Sequence, residues 1–136
     1  MNEKINYEIE EIKTYLKDID SLNIKNLNDF ISKRNNQLAA SMAIFNILNS
    51  TIEIGEELIT KFDLETPLKY REIFEILAKN KKIRSTIAKK LENFIHHRNM
   101  LAHQYGKINP KTIYEVIEQK QIFNDFINNI IELNKE

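Results

Sequence analysis

Apolar residues recur at helical spacing along almost the whole chain. Ile5, Ile9, Ile12, Leu16 and Ile19 form one stripe over about five turns and predict a first amphipathic helix. Residues 23–28 are a polar break. A long second helix is expected to run to about Lys61, with Phe30, Leu38, Met42, Phe45, Leu48 and Ile52 facing inward. Gly55 inside it costs up to about 1 kcal/mol of helix propensity, which points to a kink or a close helix crossing. Residues 62–66 read as a connector, and Pro67 suits the first turn of a short helix over 69–78 that carries Tyr70, Ile73, Phe74 and Leu77. Residues 80–84 form a basic turn. Ser85 is a candidate N-cap for a helix reaching at least His103, and Gly106 stands where a C-cap glycine would. Asn109-Pro110 reads as N-cap and first position of a last helix, whose stripe is Ile113, Val116, Ile117, Ile122, Phe123, Phe126 and Ile130.

Two glycines and two prolines leave little room for strands and hairpins. The expected fold is therefore all-α, an antiparallel four- to five-helix bundle, with residues 1–136 forming a single domain. Without cysteine there is no disulfide framework, thiolate metal site or cysteine nucleophile. The N-terminal segment is amphipathic and acidic, unlike a signal peptide, and no apolar run approaches the roughly 18 residues of a membrane span, so a cytoplasmic protein is expected. The formal net charge is zero, which argues against nucleic-acid binding by bulk charge while leaving room for a local basic pocket.

One stretch departs from this pattern: His96-His97-Arg98-Asn99-Met100-Leu101-Ala102-His103-Gln104-Tyr105. On a helical wheel Ile87, Leu91, Phe94, Ile95, Leu101 and Ala102 share one arc, and Arg98 falls near its middle. Tyr105 lies only about 20° from Arg98, two turns along, while Asn99 and His103 stack as i and i+4 beside the arc. A guanidinium in an apolar stripe is expensive unless paired. A salt bridge to Glu53, Glu56 or Glu57 would explain it, as would an earlier helix end that lets Arg98 reach solvent. The functional reading is a polar pocket or subunit interface that needs a fixed cation.

The residue types suit phosphodiester chemistry. Arginine offers a permanent planar cation for a phosphate or its pentacoordinate transition state. Histidine moves protons near neutrality, asparagine can hold a tautomer or donate to phosphate, and tyrosine adds a hydroxyl that can also be modified. One such histidine is few for both acid and base roles, and a two-fold dimer would bring two into one cleft. His96 is about two turns, roughly 10 Å, from His103, too far to share one metal, and His96 and His97 read as solvated surface. The chain has no His-Glu-x-x-His, glycine-rich phosphate loop or Gly-x-Ser-x-Gly elbow.

The run from Arg98 to Tyr105 fits Arg-x4-His-x-Tyr and resembles the signature of the HEPN superfamily in its HepT-like (DUF86) branch. The resemblance extends to residues 39–59, with Ile52-Glu53-Ile54-Gly55, to Tyr70-Arg71-Glu72-Ile73-Phe74 behind Pro67, and to Ile108-Asn109-Pro110 through Tyr114. It implies an all-α homodimer with a catalytic cleft at the two-fold axis. It implies the toxin of a type VII-like HEPN/MNT toxin–antitoxin system: an endoribonuclease that cleaves RNA by 2′-hydroxyl attack, with no metal or cofactor. By the same resemblance Arg98 and His103 are the catalytic pair, Asn99 a polar helper, Tyr105 a cleft residue and Glu53 a supporting acid. The implied partner is an MNT-type nucleotidyltransferase antitoxin, which in such pairs can transfer AMP to the motif tyrosine, here Tyr105. A non-catalytic module that binds a nucleotide or a partner is the alternative.

Overall fold

The computed structural model describes residues 2–103 and 109–135, all of whose regular elements are helices. In chain order these are α1 (Glu3–Ser21), α2 (Leu27–Ser32), α3 (Arg34–Lys61), α4 (Tyr70–Lys79), α5 (Ser85–His103), α6 (Pro110–Glu118) and α7 (Gln121–Asn134). The all-α expectation holds, with seven segments among the described residues in place of four or five. The 23–28 break leads into the extra short helix α2, which Asn26 caps by accepting from the Asp29 N–H at 2.8 Å. The expected last helix is two, because the chain turns at residues 119 and 120 between α6 and α7.

α3 is the central element. It packs along α1 and is crossed by α4, α5 and α6. Its inward face comprises Ala40, Ala43, Ile44, Ile47, Leu48, Thr51, Ile52, Ile54, Leu58 and Ile59, and it meets Ile5, Ile12 and Leu16 of α1. By length and composition α3 could cross a membrane, which corrects the expectation of no such segment; 56% of its most apolar stretch is buried in the bundle, as in a core helix. Leu38 and Met42 do not face inward as expected: they are 44% and 47% exposed. The inward stripe sits about half a helix turn away from them.

Gly55 lies where α4 crosses α3. A Cβ there would stand 2.5 Å from Ile73 Cγ2, so the glycine serves a close crossing and α3 continues through it. Pro67 is not in the first turn of α4, which begins three residues later after an extended Lys69. Ser85 is not an N-cap either. Arg84 fills that position, and its backbone N–H donates to Asn129 Oδ1 at 2.9 Å, so buried Asn129 of α7 fixes the start of α5. Asn109 caps α6 as expected, accepting from the Lys111 N–H, with Pro110 as the first helical residue.

Candidate functional site: an arginine held without an acid

Arg98 projects from α5 toward α3 and α4 and is half-buried. Its Nε donates to Asn49 Oδ1 of α3 at 2.9 Å. Its guanidinium carbon lies 5.6 Å from the Phe45 ring centroid and 5.2 Å from that of Tyr70 on α4, both within cation–π range. A longer contact of 3.4 Å runs from its terminal nitrogen to Asn99 Oδ1. No acid among the described residues forms an ion pair with it. Glu53 and Glu57 are engaged elsewhere, by Lys4 of α1 at 3.1 and 3.3 Å. Arg98 is therefore oriented by one neutral amide and two aromatic faces, and its charge is not cancelled. Such a cation is available to an anion from solvent.

Local sequence accounts for the arrangement. Leu38, Met42, Phe45 and Asn49 follow i, i+4, i+7 and i+11 spacing, so they form one face of α3, distinct from its core face. Asn49 ends this apolar stripe with an acceptor. The close α3–α4 crossing permitted by Gly55 brings in Tyr70, one turn before Ile73. Phe45, Asn49 and Tyr70 were not predicted as site residues; a polar residue continuing an apolar helical face was the signal for Asn49.

Asn99 is exposed and lies between two cavities. One, of about 470 Å³, is lined by Glu56 of α3, by Ile73 and Tyr70 of α4, and by the preceding residues from Pro67 on. The other, of about 240 Å³, shares Lys69, Tyr70 and Asn99 and adds Glu92 and His96. Burial first, and then the charge of Glu53, raises the Glu56 carboxyl above its ordinary range. Burial first, and then Glu75, does the same to Glu92.

His103 is exposed at the last residue of α5 and makes no side-chain hydrogen bond or ion pair to Arg98 or Asn99. Arg98 and Asn99 are brought together, whereas His103 stands a turn away. Tyr105 and Gly106 lie outside the described residues. Glu53 carries its ion pair to Lys4 toward α1. His96 is solvent-facing as expected, but His97 is half-buried against Phe94, with its Nδ1 buried and without a hydrogen-bond partner among the described residues. Burial, then His96, lowers the His97 pKa, and Glu115 of α6 opposes them. Among the described residues no three His, Asp or Glu side chains gather as a metal site.

The helical bundle with its Arg-x4-His helix is that of the HEPN superfamily. Within it the chain belongs to the ribonuclease HepT-like family, whose model matches residues 9–132. Among solved structures it is similar to a toxin–antitoxin complex with AMP-PNP, at 22% identity and TM-score 0.88 over 96% of this chain and 99% of that one. It is also similar to the tri-AMPylated Shewanella oneidensis HEPN toxin in complex with MNT antitoxin, at 23% identity and TM-score 0.87 over 97% and 99% of the two chains. A third is YutE of Bacillus subtilis, a cytosolic protein of unknown function, at 21% identity and TM-score 0.82 over 95% and 87%. No curated protein matches the sequence.

Proposed function

We propose that this chain is the toxin of a HEPN/MNT pair, an endoribonuclease that acts in the cytoplasm without a metal. The observation that carries the reading is Arg98, held in place by Asn49, Phe45 and Tyr70 with no acid cancelling its charge. Such a group binds a phosphodiester and strengthens its hold as negative charge grows on the non-bridging oxygens. Asn99 extends the donor set toward the same phosphate. His103 takes the proton from the ribose 2′-hydroxyl, the 2′-oxygen attacks phosphorus, and the 5′-oxygen leaves. The products are a 2′,3′-cyclic phosphate and a 5′-hydroxyl.

The leaving 5′-oxygen needs a proton, and two His103 side chains in one cleft would divide the base and acid roles. A homodimer supplies them. The exposed Leu38 and Met42, continuous with Phe45 and Asn49, give α3 an apolar face that such a dimer would bury beside Arg98. Control falls to an MNT-type nucleotidyltransferase antitoxin, a reading supported by the MNT antitoxin bound to the similar Shewanella oneidensis toxin. AMP transferred to Tyr105 would place a bulky anion near Arg98, where it would occupy the phosphate position and exclude RNA.

Induced expression in a bacterial host tests the reading. Wild type arrests growth, Arg98→Ala does not, and co-expression of an MNT-type nucleotidyltransferase antitoxin restores growth. Arrest that persists at full strength in Arg98→Ala would remove the basis for the proposal.

A further inference from the structure

We propose that the cavity between Glu56, the chain entering α4 and Asn99 is a nucleobase subsite, with Glu56 selecting guanine beside the scissile phosphate. The inference rests on the ribonuclease reading and assigns substrate specificity to a place outside the Arg-x4-His residues.

Position is the first argument. Asn99 lines the cavity and also touches the guanidinium of Arg98, so a phosphate on Arg98 has the cavity as its immediate neighbour. Tyr70 lines it as well and stacks on Arg98. A nucleotide held by its phosphate therefore meets this cavity with its own base. At about 470 Å³ the cavity is within the range of ligand pockets and roomy enough for one base with part of its ribose.

Lining chemistry is the second. Single-stranded RNA is read by stacking on aromatic side chains and by hydrogen bonds to base edges. Tyr70 provides the aromatic wall, Ile73 and Leu68 the apolar surface, and Lys69 a cation for an adjoining phosphate. Leu68 is 89% exposed, an apolar group at the cavity lip that a bound base would cover.

Glu56 is the third. Its neighbours Glu53 and Glu57 are held by Lys4, but Glu56 has no hydrogen-bond or ion-pair partner among the described residues. It is an acceptor-only group at the wall of a cavity. Glu56 is itself exposed, so its carboxylate is open to a base that enters the cavity. A carboxylate has two parallel acceptors. Guanine answers with two parallel donors, N1–H and N2–H. Cytosine and adenine offer one amino group beside an acceptor nitrogen, and uracil one imino donor between two carbonyl oxygens that repel the carboxylate.

The test uses the full chain, wild type and Glu56→Gln, each checked by circular dichroism. Short RNAs carry one cleavable site with each of the four bases at the flanking positions. Wild type cleaves the guanine-flanked site at least about tenfold faster than the uracil-flanked one, a modest value for a bidentate base contact. Glu56→Gln brings that ratio close to one. The same pair of proteins is titrated with guanosine and uridine 3′,5′-bisphosphates, which reads the subsite without any reaction. If no RNA is cut but guanosine bisphosphate binds about tenfold tighter to wild type, and this margin is lost in Glu56→Gln, the subsite stands and the ribonuclease reading falls. A wild type without base preference in either assay, or a preference that Glu56→Gln retains, overturns the proposal.

Discussion

Asn49 decides what kind of group Arg98 is. A carboxylate in its place would form a bidentate pair and satisfy the guanidinium. The neutral amide fixes the direction of Nε and leaves the charge for another anion. Asn49→Asp is nearly isosteric and separates these two roles. The variant is expected to fold as well as wild type, yet to lose at least about tenfold in RNA cleavage, since a unit charge near 4 Å outweighs such a rate factor even at intermediate dielectric. Cleavage rates on one RNA, beside melting curves of both proteins, measure this. The sequence marks Asn49 only by its place at the end of the Leu38, Met42 and Phe45 face, a weak contrast in a chain rich in asparagine. Arg98 was legible because it interrupts an apolar arc with a group that must be answered. A salt bridge to Glu53, Glu56 or Glu57 was one answer the sequence left open, and those side chains serve α1 and the cavity instead.

At the scale of elements, α5 reaches its position through contacts that sequence pattern shows only in part. Gly55 was expected to mark a kink or a crossing, and it is a crossing. Gly55→Ala should cost about 1–3 kcal/mol, the range for overpacking a filled core, because Ile73 is buried and branched next to the new methyl. Chemical denaturation reads the loss. The helix stops near Lys61 and Ala78 were legible to within a residue, but not how the chain closes them. α1, α3 and α4 are followed by Asn23, Asp63 and Lys81 in left-handed backbone, positions where glycine is usual. The α3 and α4 ends close as Schellman motifs, with Leu64 N–H donating to Ile59 O and Lys82 N–H to Leu77 O. Periodicity carries no information on such turns. His97 has a consequence for the same helix. Its folded pKa lies below the ordinary value near 6.5, so between those values the unfolded chain binds more protons and stability rises with pH. As pH falls through about 6.5, wild type should lose stability that His97→Gln keeps; parallel melts from pH 7.5 to 5 compare the two.

The whole molecule combines zero net charge with a half-buried arginine whose charge no acid among the described residues answers. On the proposed function, phosphate recognition is then local to Arg98 rather than spread over a basic surface. The all-α bundle was legible as a class because long apolar stripes dictate buried helix faces. The number of helices was not, since the short helix α2 before Lys33 and the 119–120 break interrupt the chain without interrupting the stripe. Leu38 and Met42 show the limit most clearly. Their spacing reads as core, but the bundle is already filled by the neighbouring face of α3 and leaves them outside. If that face joins two copies, Met42→Glu will leave a folded monomer in light scattering that no longer cuts RNA. A dimer unchanged by this substitution would place the interface elsewhere.

The measurement that bears most directly on the central claim is digestion of RNA in EDTA by wild type and by His103→Ala, with the product ends identified. Fragments ending in 2′,3′-cyclic phosphate are expected from wild type, and loss of cleavage with His103→Ala. Intact RNA with wild type whose Tyr105 carries no modification, or equal cleavage by both proteins, would contradict that claim and favour a module that binds a nucleotide or a partner without cutting RNA.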